Sequence, residues 1–456
     1  MKLNMSCQTM AERLNGTLIG HDKPISGHLN TDSRTLVKGD IFVALQGERF
    51  DGHSYLTTVA ALGASAVVVS RASSELAIPQ IVVADTLLAY GMLAGEIREQ
   101  FAGLVFGITG SSGKTSCKEM LVAILAVNGH VLATQSNNNN EVGVPLTLSQ
   151  IDVNHDFAVI EMGAGKPNDI AYLVDFAKPD IAMVTNVGEA HLEMFGSVAQ
   201  IAATKKQIYN ATSKLRAAAV HGDDPLTASW KEELSMRGLE VLSFGLQSDN
   251  DVYAADVVAT IDGSAFRLCS PQGNVDVALS VPGQHMIKNA CAAAAMALLA
   301  GVDLQSIATG LSKYKSLKGR LAVRQIGRMS VIDDSYNANP RSLRAAIDTL
   351  SLATQRRVLV VGDMAELGPD TQQLHQDLGV YAQGKVDAWY STGPLMAHAA
   401  KAFGDGAVHC DDMDQLNRLL CSQLQANDTV LVKGSRSSRM ERVIAALEEC
   451  FAGGAA

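Results

Sequence analysis

The chain has 456 residues, of which 47% are hydrophobic and 18% charged, and a formal net charge of −10. That length holds about three domains of ~150 residues, each able to bury its own core, and the composition is that of an ordinary soluble globular protein. The acidic balance excludes a general nucleic-acid binder, although a local lysine–arginine pocket still has room to hold a small anionic substrate.

Seven cysteines without a CxxC pair read as free thiols in a reducing compartment, not as a disulfide or zinc framework. No apolar stretch after the first lysine has the form of a secretory signal. The most apolar helical stretch, residues 290–302, is too short to cross a bilayer. The expected setting is therefore the cytoplasm, with no membrane partner.

In chain order, residues 1–103 read as a small α/β unit with strands near 41–45, 66–69 and 81–83. Two polar pieces stand out there, Thr31-Asp32-Ser33-Arg34 and Gly47-Glu48-Arg49-Phe50-Asp51-Gly52-His53. Asp, Ser and Gly favour turns on their own account, and a Ser–Arg pair beside a glycine-rich loop also suits a diphosphate. Composition leaves these two readings level.

The most informative stretch follows. An apolar run at 104–108, short enough for a buried strand, leads into Thr109-Gly110-Ser111-Ser112-Gly113-Lys114-Thr115-Ser116. A helical pattern comes next, with Met120, Leu121, Ile124 and Leu125 on one face and Gly129 as its stop. Strand, glycine turn and helix N-terminus make an anion site of exposed N–H groups, helix dipole, a lysine and a hydroxyl for Mg²⁺. The full phosphate-loop pattern needs glycine at 108; with Ile108, this is the shortened form T-G-x-x-G-K-T.

From 104 to about 315, strand and helix alternate, which argues a mostly parallel sheet. Apolar runs at 157–160 and 181–185 end at Glu161 and at Asn186-Val187-Gly188-Glu189-Ala190-His191. Ligands of open α/β sheets lie beyond the carboxyl ends of strands. If these strands are neighbours, Lys114, Glu161 and His191 share one edge and suit Mg²⁺ ligation. Asn137 to Asn140 read either as low complexity or as an ordered loop carrying amides. Asn289, in the turn that opens an alanine-rich helix, reads either as part of a cap or as an amide beside a base.

The basic run Lys-Tyr-Lys-Ser-Leu-Lys-Gly-Arg ending at Arg320 breaks the pattern and reads as a linker. Beyond 330 the alternation resumes, with strands at 331–333, 358–361, 388–391 and 429–432, which suggests a second doubly wound sheet. Polar residues again follow the strand ends: Asp334, Asn337 and Asn339 after the first, and Lys433, Ser435 and Arg436 after the last.

Taken in order, TGSSGKT, NNNNEVGVP, EMGAG, NVGEAHLEMFGS, GQHMIKNACAAAA, DDSYNANP, GDMAELG and VKGSR resemble the motifs of the Mur ligases of peptidoglycan synthesis. NTDSR and ALQGERFDGH carry the resemblance into the first hundred residues. It implies an α/β protein of three domains. These are a small N-terminal α/β domain for a UDP-linked substrate (1–103), a central P-loop-type ATPase domain with a mostly parallel sheet (104–315), and a C-terminal Rossmann-like domain (316–456). The implied reaction starts when the terminal carboxylate of UDP-N-acetylmuramoyl-tripeptide (UDP-MurNAc-tripeptide) attacks the γ-phosphate of ATP. The amine of D-alanyl-D-alanine then takes the acyl group from the acyl phosphate. Two anions must meet, so the site has to supply cationic charge and alignment rather than a nucleophile.

The same resemblance distributes the roles. Gly110, Ser111, Ser112, Gly113, Lys114, Thr115 and Ser116 would hold the phosphates of ATP. Thr115 or Ser116 and Glu161 would hold one Mg²⁺, and His191 would help to bind a second. Arg320 would reach the γ-phosphate on domain closure, and Asn289, Asp334 and Asn337 would face the adenosine. Ser33, Arg34, Arg49, Phe50, Asp51, Gly52 and His53 would face the uridine diphosphate. Asn139, Asn339, Lys433, Ser435 and Arg436 would lie near the peptide and dipeptide.

Lys205 aligns with the family's carbamylated lysine, in which an ammonium becomes an anionic Mg²⁺ ligand. Lys206 offers a competing register, Gln207 stands where relatives often have Glu, and His221 replaces an expected Asn. A monomer is the expected state. Three rivals stand beside this reading: a folylpolyglutamate-type ligase, which would begin almost at its phosphate loop; a nucleotide-switch ATPase that turns over without an amine acceptor; and a regulatory binding protein that keeps the fold without catalysis.

Overall fold

The computed structural model describes residues 1–189, 192–210 and 214–451. Near the N-terminus, Leu3–Ser6 pairs antiparallel with Pro24–Gly27. The β-branched runs that follow build a five-stranded sheet in the order Thr17–Ile19, Gln80–Val82, Ala66–Val69, Ile41–Val43, Leu29–Asn30. It is parallel except at its Thr17–Ile19 edge. Ala66–Val69 is buried throughout, as an inner parallel strand covered on both faces should be.

The helix Thr86–Gln100 carries the chain from this sheet to the next. It starts where the Asp85 carboxylate accepts from the N–H groups of Leu87 and Leu88, an N-cap. Gly91 allows a close approach, because a Cβ there would sit 2.6 Å from Cε2 of Phe176. Arg98 fastens the join. Only 1% exposed, it donates to the carbonyls of Ala177 (3.2 Å) and Lys178 (2.9 Å) and to Asp180 Oδ2 (2.7 Å). The same carboxylate oxygen accepts from the N–H of Val105, the second residue of the phosphate-loop strand Leu104–Thr109.

The central sheet has nine strands. Val131–Ala133, Phe157–Glu161, Leu104–Thr109, Ile181–Val184, Ala217–His221, Glu240–Gly245 and Val252–Ala259 run parallel in that spatial order. Ser264–Ser270 and Gly273–Leu279 extend the sheet antiparallel, a hairpin that the strand–helix alternation does not announce. Leu104–Thr109 lies between Phe157–Glu161 and Ile181–Val184, so the adjacency on which the shared edge depends is present. The chain leaves Leu104–Thr109, crosses to the edge strand Val131–Ala133 and returns to both neighbours. This makes the phosphate-loop strand a topological switch point, where such sheets bind ligands. Behind it, the helices Lys114–Leu125, Gln284–Leu299 and Leu304–Lys313 pack into one core. Gly310 allows the last of these to close up, since a Cβ there would meet Ile124 Cα at 2.3 Å.

The third sheet has six strands in the order Ala322–Ile326, Met329–Asp334, Thr429–Lys433, Arg357–Gly362, Ala388–Thr392, Ala407–Cys410, parallel apart from the first pair. The expectation of seven free thiols is corrected here. Cys421 and Cys450 form a disulfide between the helices Met413–Gln423 and Glu441–Phe451. The other five cysteines are free and buried. The two partners lie 29 residues apart and meet only because their helices pack side by side, which no local spacing reveals. Among the described residues, no helix is long and apolar enough to cross a membrane.

The Arg98 contacts generate a stability prediction. Arg98→Met keeps the aliphatic stem but takes the cation from the Asp180 carboxylate, which among the described residues keeps only its bond from the Val105 N–H, and the donor from two carbonyls, at an expected cost of roughly 3–5 kcal/mol. Urea unfolding followed by circular dichroism reads the cost directly. A change below about 0.5 kcal/mol, the scale of an ordinary surface substitution, would show that the join rests on apolar packing alone.

Candidate active site

The glycine loop sits between the end of Leu104–Thr109 and the start of Lys114–Leu125. Gly110 (φ +152°) and Gly113 (φ +76°) adopt backbone conformations that L side chains rarely take. Space excludes a side chain as well. A Cβ on Gly110 would lie 1.9 Å from Thr185 Oγ1, and one on Gly113 would lie 2.8 Å from Asn289 Oδ1.

The loop is held from the neighbouring strand end. Asn186 Oδ1 accepts from both the N–H and the hydroxyl of Ser112 at 3.1 Å, and Asn186 Nδ2 donates to Ser112 O at 2.9 Å. Thr185 Oγ1 donates to the same carbonyl at 2.6 Å. Ser111 Oγ exchanges hydrogen bonds with the carbonyl and N–H of Gly188, both at 3.0 Å. Sequence reasoning named this strand end and missed its role as the brace of the loop. Asparagine and threonine directly after the strand neighbouring a phosphate loop are the signal that was present.

Lys114 Nζ donates to Gly110 O at 2.9 Å, which folds the ammonium over the loop. Its pKa is lowered by burial and by Arg320, against the opposing pull of Glu161. Glu161, 1% exposed, is anchored through its N–H to Thr134 Oγ1 (3.0 Å), and its Oε1 accepts from Asn139 Nδ2 (2.8 Å). Its Oε2 is buried without a hydrogen-bond partner. Such an acceptor normally has a donor or a cation beside it, so the residues fit a metal ion at this point.

Lys205 is 3% exposed, and burial, with Lys114 as second cause, lowers its pKa to about 7. Lys206 points elsewhere. It pairs with Glu233 and lies over the Trp230 ring at 5.6 Å. Gln207 Nε2 donates to Asn168 at 2.9 Å. His191 lies outside the described residues.

A cavity of about 1480 Å³ opens between the central and C-terminal sheets. A single drug-sized ligand fills roughly 300–1,000 Å³, so nucleotide and a second reactant fit together. Gly110 to Ser116, Asn139, Glu161, Lys205, Asn289, Arg320, Asp334, Asn337, Asn339 and Lys433 all line it. Arg320 stacks its guanidinium 4.2 Å over the Tyr336 ring. Lys433 Nζ donates to Asp334 Oδ2 (2.6 Å) and Asn337 O (2.8 Å). Burial raises the Asp334 pKa against the lowering pull of Lys433. Asn339 caps the helix Pro340–Leu350, with its side chain accepting from Ser342 N. Ser435 and Arg436 are not on this wall: Ser435 bonds Ser437 and Ser438, and Arg436 pairs with Glu441 at 3.2 Å. His221, also on the wall, is 1% exposed and stacks on Phe244; neither ring nitrogen makes a hydrogen bond, and the carboxylates of Asp223 and Asp224 lie 3.9 and 3.8 Å from them.

The N-terminal candidates are not part of this cavity. Arg34 is exposed and folds back on Asp32 through a bidentate contact at 2.6–2.9 Å, and Ser33 is half-buried beside it. Arg49 and Phe50 are exposed. Asp51 and His53 face each other, with Nδ1 donating to Asp51 Oδ1 at 2.7 Å because Nε2 accepts from the N–H of Ser70. Gly52 packs tightly against Ala44, where a Cβ would meet Ala44 Cα at 2.9 Å. Asp32, with His28, Asn30, Tyr90 and Gln150, borders a second cavity of about 580 Å³.

Three models of the Mur ligase family match the chain: the catalytic domain at residues 27–90, the middle domain at 108–297 and the glutamate ligase domain at 319–436. The UDP-N-acetylmuramoyl-tripeptide–D-alanyl-D-alanine ligase of Escherichia coli is 40% identical over 98% of this chain and 99% of its own. A crystal structure of MurF from Acinetobacter baumannii aligns with TM-score 0.89 at 35% identity, covering 98% and 99% of the two chains. MurF ligase from Thermotoga maritima in complex with ADP aligns with TM-score 0.84 at 30% identity, covering 93% and 98%.

The loop brace is testable by nucleotide binding. Asn186→Ala removes three hydrogen bonds from Ser112 and is expected to weaken ADP on the order of tenfold, while the fold survives. Calorimetric titration of ADP is the measurement, and unchanged affinity would dismiss the brace.

Proposed function

We propose that this chain, which belongs to the Mur ligase family, is an ATP-dependent ligase that joins D-alanyl-D-alanine to UDP-N-acetylmuramoyl-tripeptide, giving the pentapeptide precursor of peptidoglycan. The observation that carries the reading is end-to-end similarity to a ligase of that name, joined to a braced phosphate loop that opens on a cavity large enough for two reactants. Residues 1–103, 104–315 and 316–456 serve as the UDP-substrate, ATPase and closing domains, and the setting is the cytoplasm.

In the first step a carboxylate oxygen of the tripeptide attacks the γ-phosphorus of ATP, and ADP leaves. In the second, the dipeptide amine attacks the acyl carbon and inorganic phosphate leaves with the former carboxylate oxygen. Both steps gather negative charge, so the protein's task is to neutralise it and align the reactants. Lys114 and the loop N–H groups take the phosphates. Arg320, held edge-free on Tyr336, meets the γ-phosphate from the C-terminal side. Asn289, Asp334 and Asn337 face the adenosine, and Asn139, Asn339 and Lys433 lie toward the peptide and dipeptide. Ser33, Arg34 and the 49–53 loop lie toward the uridine diphosphate.

The Thr115 hydroxyl and the orphaned Glu161 oxygen would hold Mg²⁺, with His191 and Lys205 as further ligands. When bound, that ion offsets phosphate charge. A lysine serves such a site only as an anion. The neutral amine, which a pKa of about 7 makes available, adds carbon dioxide and loses a proton to become a carbamate. The orientation of Lys206 toward Glu233 supports Lys205 as the register.

Two measurements test the reading. Phosphate release should require UDP-N-acetylmuramoyl-tripeptide and D-alanyl-D-alanine together, and equal turnover without the dipeptide would favour a nucleotide switch instead. Lys205→Ala should lose most activity with its melting temperature held, and high formate should restore part of the rate, whereas Lys206→Ala should stay near wild type. Wild-type activity in Lys205→Ala without added acid refutes the carbamate.

A further inference from the structure

Arg341 is the second residue of the helix Pro340–Leu350, whose start is fixed by the Asn339 cap and by Pro340 at its first position. A cation there opposes the helix dipole, which favours negative charge at an N-terminus. The guanidinium, on a side chain that is 43% exposed, is met outside the helix by two acceptors of the central domain. Nη1 donates to Val187 O at 2.7 Å and lies 3.4 Å from Asp224 Oδ2. Asp224 is 7% exposed, and its other oxygen accepts from the N–H of Leu226.

Val187 lies between the two residues that brace the phosphate loop. Asn186 holds Ser112, and Gly188 exchanges hydrogen bonds with Ser111. The Arg341 stem also runs past Gly188, with Cδ 3.5 Å from where a Cβ would stand. A single three-residue segment thus touches the phosphate loop on one side and the C-terminal domain on the other.

We propose that Arg341 is a positioning residue that couples docking of the C-terminal domain to the geometry of the phosphate loop through the segment 186–188. This role rests on the ligase reading above. With the domain docked, the guanidinium pins Val187 O, the segment holds Ser111 and Ser112 in place, and Arg320 of the same domain is brought to the cavity. With the domain undocked, the loop loses its outer support while its own contacts to Asn186 remain.

The test uses the full chain. Arg341→Met keeps the stem against Gly188 and removes the donors; Arg341→Lys restores one donor. ADP affinity, kcat and KM for each substrate, and the radius of gyration with a non-hydrolysable ATP analogue are measured for both. Arg341→Met is expected to lower kcat on the order of tenfold, the scale of one charged hydrogen bond. ADP affinity should stay within about threefold, below the effect of a lost charged contact. The analogue-bound protein should also be more expanded than wild type. Arg341→Lys should recover part of both losses, and adding Asp224→Asn to Arg341→Met should cost little more, because the pair acts as one unit. A kcat within about twofold of wild type, or a loss confined to the KM of one substrate as direct contact would give, overturns the proposal. Failure of the ligase reading looks different: wild type itself would release no dipeptide-dependent phosphate, while scattering would still report whether Arg341 governs docking.

Discussion

Burial depresses the pKa of Lys205 at the cavity wall, and the charge of Lys114 on the same wall depresses it further. Lys205 is almost wholly buried, so water screens this repulsion poorly. Two things relieve it: an anion arriving against Lys114, or Lys205 ceasing to be a cation. A carboxylate that meets a phosphate brings the first of these, and a site for that reaction must hold positive charge before its ligands arrive.

The parallel sheet delivers these groups without long side-chain reaches. Glu161 is level with Ile108 across one pairing and Val184 is level with Thr109 across the other. The loops that follow all three strands therefore emerge at one height. The glycines make the convergence tight. Because Gly110 and Gly113 have no side chains, Thr185 and Asn289 come within distances that a methyl group would forbid. The loop is shaped as much by its neighbours across the sheet as by its own sequence.

This explains what could be read from the sequence and what could not. The phosphate loop, Glu161 and the strand ends after 334 and 433 were legible because strand, turn and helix signals are local, and the strand-end rule then places their polar residues on one edge. The whole-chain family resemblance was legible because its motifs recur in order. The brace by Asn186 was not, since an asparagine after a strand reads equally as a turn. Arg341 reaches a carbonyl 154 positions away, and no periodicity carries that information. The antiparallel hairpin at the sheet edge and the Cys421–Cys450 bridge depend in the same way on packing between elements. Asp51 and His53 likewise bond each other, Arg71 and Ser70, partners that the residue types of the 47–53 stretch do not name, because a buried polar group takes whichever partner the fold brings near.

The cations of the molecule divide by what they touch. Lys206, Lys433 and Arg34 each face a carboxylate, Glu233, Asp334 and Asp32 respectively, and their charge is offset in place. Among the described residues, no such ion pair forms at Lys114, Lys205 or Arg320. Lys114 rests on a carbonyl, and Arg320 lies on the face of Tyr336. An aromatic face orients a guanidinium without cancelling its charge and leaves its edge donors available for a planar anion. A carboxylate in the place of Tyr336 would orient Arg320 equally well and cancel its charge. The choice of partner, more than the number of cations, decides which part of the cavity stays positive.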